Sequence, residues 1–251
     1  MRISTKALRI FELLSCTAVA LSSSVPCSNG ANYPFTAGDD DMLRMYIEDY
    51  QTNCVEASST TCASALEYGY PINCWQVQAI TNFRQLFSGS GLSNFNEDIS
   101  AWDVSSVTNF DGTFSQAAHF NQPIGAWNVS SGVSFENMFH NTHFNQPLND
   151  WDVSQATSLQ SMFYAANAFN QPLDKWDVSK VQDFSAMFMK AQQFNQPLHE
   201  WDVSSGTTFF NMFGLEWGQS ATAPTSFNQN LCSWGQHYDG TKHYDGTVTY
   251  T

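Results

Sequence analysis

Phe169-Asn170-Gln171-Pro172-Leu173-Asp174-Lys175-Trp176-Asp177-Val178-Ser179-Lys180-Val181 is one copy of a phrase that recurs along the chain. Close copies begin at Phe144 and Phe194. Looser ones run from Tyr68 to Trp75, Phe95 to Trp102, Phe120 to Trp127 and Phe227 to Trp234. Aligned on tryptophan, the copies fall at Trp75, Trp102, Trp127, Trp151, Trp176, Trp201 and Trp234. A fixed spacing of about 25 residues is the mark of stacked repeats, in which no unit buries its apolar face alone and each is completed by its neighbours. The last interval is longer because Gly214 to Ser226 is inserted there.

Within a unit, Leu173, Trp176, Val178 and Val181 follow a Leu-x-x-Trp-x-Val-x-x-Val pattern. Alternation at Trp and Val predicts a short strand with one buried face. Beyond it, Val181, Phe184, Met187 and Phe188 change to a helical spacing, which predicts a helical turn, with Thr81, Thr108 and Thr157 placed to cap it. Pro71, Pro123, Pro147, Pro172 and Pro197 end that segment and set the entry to the next strand. The phrase's asparagines (Asn96, Asn121, Asn145, Asn170, Asn195 and Asn228) are expected to form a ladder that satisfies backbone groups from unit to unit. The fold class expected is an α/β repeat solenoid, leucine-rich-repeat-like, with one short parallel strand and a helical turn per coil.

The expected organisation is a signal peptide over 1–24, an N-terminal helical cap with cysteines over 25–67, a solenoid over 68–234 of six coils and a partial one, and a tail over 235–251. Arg2, Lys6 and Arg9 precede an apolar run from Leu13 to Leu21 and a small-residue stretch, the layout of an export signal. A helix is expected over 36–50. Thr36 and Asp39 resemble a capping box, Asp39, Asp40 and Asp41 sit at its positive end, and Leu43, Tyr46, Ile47 and Tyr50 form its apolar stripe. Cys27, Cys54, Cys62 and Cys74 are the disulfide candidates, since zinc would need tighter spacing.

The chain has 251 residues, 42% of them hydrophobic, and a formal charge of −14. That balance excludes nucleic acid and anionic lipid as natural partners, because both require a basic footprint. No stretch of the mature chain is long and apolar enough to span a bilayer. No Ser-His-Asp set, phosphate-cradling glycine loop or His-Glu metal motif is present, and no cofactor is implied.

The phrase Phe-Asn-Gln-Pro-Leu-x-x-Trp-Asp-Val-Ser followed by a Met-Phe pair resembles the BspA-like leucine-rich-repeat family of microbial surface proteins and lipoproteins, over about residues 68–234. The resemblance implies extracellular display and a role in adhesion or recognition of protein or glycan, and it implies no catalytic residues. The chain departs from the pattern at Asn128, where Asp is usual, and at Gly132 and Gly206, where Val is usual.

Outward-facing strand residues define the candidate site. Asp103, Asn128, Asp152, Asp177 and Asp202 form one column, and Ser105, Ser130, Ser154, Ser179 and Ser204 a second. Local bonding of Asp and Ser to backbone is the simplest use of the columns. Calcium bridging at Asp152, Asp177 and Asp202 is another, and a polar ligand-binding strip through Asp103, Asp152, Asp177, Asp202, Ser154 and Ser179 a third. Trp217, in the insertion, lies outside the tryptophan column and is either a loop plug or an exposed anchor. Asn128-Val129-Ser130 is a glycosylation sequon on a predicted strand, where access would be poor. The expected function is a non-enzymatic secreted or surface module. The alternatives are a carbohydrate-active enzyme using the Asp column, disfavoured because repeats make all carboxylate environments alike, and a structural wall or matrix protein.

Overall fold

The computed structural model describes residues 34–36, 38–54, 68, 71–89, 91–214 and 226–237. Among them stand one α-helix, α1 (Asp40–Asn53), and two 3₁₀ turns, Ile72–Cys74 and Cys232–His237. The rest is irregular backbone, and no strand forms among the described residues. The expected α/β solenoid with a strand and a helix in every coil is therefore wrong in both elements. The only β pairing among the described residues is a row of single parallel bridges, Asn82–Asn109–Ser134–Ser158–Asp183–Thr208. Counting from each tryptophan, every bridge residue lies at position +7. The pairing thus borders the segment expected to be helical, not the Trp-x-Val segment expected to be a strand.

What forms instead is a stack of irregular rungs. Leu159, Ser161, Phe163 and Ala165, at positions +8, +10, +12 and +14, donate their N–H groups to carbonyls of Asp183, Ser185, Met187 and Met189 in the next rung at 2.9, 2.8, 2.9 and 2.8 Å. The N–H groups between them turn back inside the rung. Met162, Tyr164 and Ala166 donate to Leu159, Ser161 and Phe163 at 3.2, 3.0 and 3.1 Å. The segment is a run of overlapping turns whose alternate amides point along the stack. An α-helix would spend all its amides internally and leave nothing to join the rungs.

Backbone dihedrals show how helix is prevented. Positions +10 and +14 are left-handed: φ is 56° and 55° at Asn137 and Asn141, 53° and 51° at Ser161 and Ala165, and 53° and 60° at Ala186 and Lys190. The threonines cap no helix; Thr108, Thr157 and Thr207 bond by N–H and hydroxyl to carbonyls of Thr81, Val133 and Gln182 in the preceding rung. A left-handed L-residue costs about 1–2 kcal/mol, which glycine avoids. Ala186→Gly should therefore raise unfolding stability by about 1 kcal/mol in urea titration; a loss of stability there would contradict the left-handed assignment.

The core is a set of files running through the stack. Phe87, Phe114, Phe139, Phe163, Phe188 and Phe213 stack at centroid spacings of 5.1, 5.7, 5.5, 5.6 and 5.7 Å. The phenylalanines opening each phrase form a parallel file, and within a rung the two files meet face to face, as at Phe163–Phe169 (4.0 Å) and Phe188–Phe194 (3.9 Å). Trp151, Trp176, Trp201 and Trp234 share one buried cluster and one ladder. Their indole N–H groups donate to Ile124, Leu148, Leu173 and Leu198, each in the rung before, at 3.1, 2.9, 2.8 and 3.0 Å. The asparagine ladder also forms. Asn121, Asn145, Asn170, Asn195 and Asn228 each donate a backbone N–H to the side-chain oxygen of the asparagine one rung earlier, at 2.8–3.0 Å. Where valine is missing from the pattern, a ring takes its place: a Cβ on Gly132 or Gly206 would lie 2.4 Å from the ring tip of Phe135 or Phe209.

α1 closes the first rung. Leu43, Ile47 and Tyr50 are buried as the stripe requires, with Tyr46 packed beside them. The helix starts later than expected, at Asp40, because Asp39 turns its carboxylate back to the N–H and hydroxyl of Thr36 at 2.7 and 2.8 Å. Arg44 donates to the carbonyls of Gln85 and, at 2.9 Å, Ser88, and Asp40 accepts from the N–H of Asn82. An arginine and an aspartate thus do for the first rung what a preceding rung does for the others. Cys54 and Cys74 each take part in a disulfide, and Cys232 is a free, exposed thiol. Cys27 and Cys62, the other two candidates, lie outside the described residues, as does the proposed signal peptide at 1–24.

Candidate functional site

The Asp column is exposed, and one oxygen of each side chain is already in use. Asp103, Asn128, Asp152, Asp177 and Asp202 each accept the N–H of the serine two residues on, at 3.1, 3.2, 3.0, 3.0 and 3.0 Å. The hydroxyls of Ser105 and Ser130 add bonds of 2.6 and 2.7 Å to the same acceptors. This is the local side-chain-to-backbone turn that Asp and Ser favour. No group of three His, Cys, Asp or Glu placed to hold a metal occurs among the described residues. Trp217 lies outside the described residues.

The serine hydroxyl and N–H hold the Asp103 and Asp152 carboxyls below the usual carboxylate range. A depressed folded-state pKa contributes stability above the unfolded value, about 3.9, and that contribution disappears as pH falls through the folded value. Stability should therefore decline below about pH 4, by a modest amount because both side chains are exposed and screened. Asp152→Asn keeps the acceptor, as Asn128 does in its own rung, and should flatten part of that acid slope. An unchanged slope in denaturant titrations between pH 3 and 6 would show that these bonds carry no linkage.

A different face holds the side chains that the fold does not dictate. Position +12 is Phe in every rung from Phe87 to Phe213, and +8 is Phe83, Phe110, Phe135, Leu159, Phe184 and Phe209, all buried except the partly buried Phe213. Beside these, +9 reads Arg84, Asp111, Glu136, Gln160, Ser185 and Phe210, and +13 reads Ser88, Ser115, His140, Tyr164, Met189 and Gly214, the last two buried. The +9 side chains of the first three rungs and the +13 side chains of the first two line a common open groove of about 280 Å³. Its floor is low because Gly89, Gly112, Ser88 and Ser115 are small. Its walls carry the Arg84 guanidinium, the amides of Gln85, Gln116 and Asn137, and the carboxylates of Asp111 and Glu136. Asp111 is fixed by bonds from the Ser134 hydroxyl and the Glu136 N–H.

Further along, small residues give way to rings. His140 and Tyr164 stack at 4.7 Å, and the Lys190 ammonium sits 5.4 Å from the Tyr164 ring centre. Burial, with a smaller contribution from the Lys190 charge, holds the His140 imidazole below its ordinary pKa, so it stays neutral and stacked near pH 7. Phe210 is 46% exposed at the far end. Sequence reasoning missed this face because it assigned the segment to a helix. The legible signal was column variability: between near-constant phenylalanines, +9 runs through Arg84, Asp111, Glu136, Gln160, Ser185 and Phe210.

No helix among the described residues is long and apolar enough to cross a membrane. No curated protein and no solved structure matches the chain. A family model matches residues 56–173 and again 134–234, the span of the stacked rungs. On that coverage the chain belongs to the family described as Mycoplasma protein of unknown function, DUF285.

Proposed function

We propose that the chain is a secreted or surface-displayed recognition module that binds a protein or glycan through the face carrying positions +9 and +13, without catalysis. The observation that carries this reading is the contrast between neighbouring columns. Positions +8 and +12 are Phe in every rung but one, where +8 is Leu159, because the stack needs a large apolar side chain there. Position +9, and position +13 as far as Tyr164, on the same backbone ladder, pass from charged and small to polar and aromatic. A surface serving only to build a wall has no need of that progression, whereas a ligand-reading surface does. The polar groove at Arg84, Asp111 and Glu136 suits hydroxyl or amide groups of a ligand, and Phe210 and Tyr164 suit an apolar or ring-bearing portion.

The full chain, labelled and applied to glycan and protein arrays, should give a saturable ligand. The double variant Asp111→Asn/Glu136→Gln and the single variant Phe210→Ser should each weaken that binding about tenfold, or about 1.4 kcal/mol, with the unfolding midpoint of Phe210→Ser unchanged. Loss of binding in Asp103, Asp152, Asp177 and Asp202 variants, with both +9 variants unaffected, would return the site to the Asp column. Absence of any saturable ligand would favour a structural role.

A further inference from the structure

The Asp column is interrupted once, and the interruption has a chemical consequence. In four of its rungs the residue after tryptophan is Asp103, Asp152, Asp177 or Asp202; in the rung of Trp127 it is Asn128. The following serine is kept, so this rung alone contains the Asn-x-Ser acceptor triplet, Asn128-Val129-Ser130. The sequence pattern placed it on a strand, where neighbouring chains would block an enzyme. The structure has no strand there. Asn128 is exposed, and Ser130 and Ser131 form a turn. Val129 points into the core at 1% exposure, which anchors the triplet and holds the two polar side chains outward.

The geometry within the triplet is also favourable. The Asn128 Oδ1 accepts both the Ser130 N–H, at 3.2 Å, and the Ser130 hydroxyl, at 2.7 Å. Both bonds fall on the oxygen. Among the described residues the amide nitrogen, Nδ2, donates to nothing and faces solvent. Hydrogen bonds to the carbonyl oxygen fix the orientation of the carboxamide and present its nitrogen outward. The aspartates elsewhere in the column make the same turn but have no nitrogen to offer.

We propose that Asn128 is an acceptor for an N-linked oligosaccharide in the folded chain. Nδ2 attacks the anomeric carbon of a polyprenyl-diphosphate-linked oligosaccharide. The N–C bond forms as the bond from that carbon to the phosphate oxygen breaks. The diphosphate leaves with the electron pair, and one Nδ2 proton passes to a base of the transferring enzyme. Its use in a cell rests on the export proposed above; the acceptor chemistry does not.

The test uses the purified, folded full chain, a purified single-subunit oligosaccharyltransferase and a lipid-linked oligosaccharide. One glycan should be transferred and should map to Asn128 by peptide mass spectrometry. Asn128→Asp restores the residue of the other rungs; it should unfold at the wild-type midpoint and accept nothing. Ser130→Ala should lose acceptance, and Ser130→Thr should retain it. Transfer only after the chain is denatured would overturn the proposal, as would no transfer in either state or undiminished transfer to Asn128→Asp. Export is read separately, from appearance of the full chain in the medium of a secreting host, so failure of that reading is distinguishable from failure of this one.

Discussion

Phe163→Ala should lower unfolding stability by about 3–5 kcal/mol, the usual cost of deleting a fully buried ring whose cavity cannot collapse. Phe163 is fully buried in one phenylalanine file and faces the other, with Phe169 at 4.0 Å, Phe139 at 5.5 Å, Phe188 at 5.6 Å and Trp176 at 6.4 Å. Phe139 and Phe188 are held by backbone bonds to the next rung and Trp176 by its indole bond to Leu148, so these neighbours resist sliding into the void. Because a stacked array is stabilised mainly through contacts between adjacent units, the loss should be felt on both sides of the rung. Hydrogen exchange should report faster opening of amides in the flanking rungs as well as in the mutated one. A loss under about 1.5 kcal/mol, the range of a tolerated repacking, would mean that the files are loosely packed.

Trp176→Ala should cost a similar amount, about 3–5 kcal/mol, for a partly different reason. The Leu148 carbonyl accepts two donors, the Trp151 backbone N–H at 3.0 Å and the Trp176 indole N–H at 2.9 Å. The first closes the rung on itself and the second ties it to the next. Trp176→Phe keeps a ring and removes the tie, with some volume, and should cost about 1–3 kcal/mol. If the Phe variant were as stable as the wild type, the indole ladder would be incidental and the tryptophan file would act by packing alone. The Trp176 and Trp201 rings lie 6.4 Å apart and nearly parallel, at 1°, so Trp201→Phe provides an independent repeat of the measurement.

The aromatic files, the single tryptophan file, the asparagine ladder and the apolar stripe of α1 were all legible beforehand. Each depends on a side chain recurring at a fixed interval, and periodicity is a property of sequence. The Asp column was also read correctly as exposed, and Asp103 and Asp152 behave as local turn acceptors. Which backbone segment joins the rungs was not legible. Trp176-x-Val178 has the alternation of a half-buried strand, yet the bridges run through Asp183 and its equivalents, and the segment with helical spacing became overlapping turns. The left-handed residues that prevent helix there include Ala165, Ala186 and Lys190, which carry no such preference of their own. They are held in that conformation because the alternate amides must reach carbonyls about 25 residues away. Hydrogen-bond satisfaction between rungs is a nonlocal requirement and overrides local propensity. So the sequence alone determined that like residues would stack, and what would fill the interior. Tertiary structure decided which face the stack leaves free to vary, because that depends on where the joining amides fall.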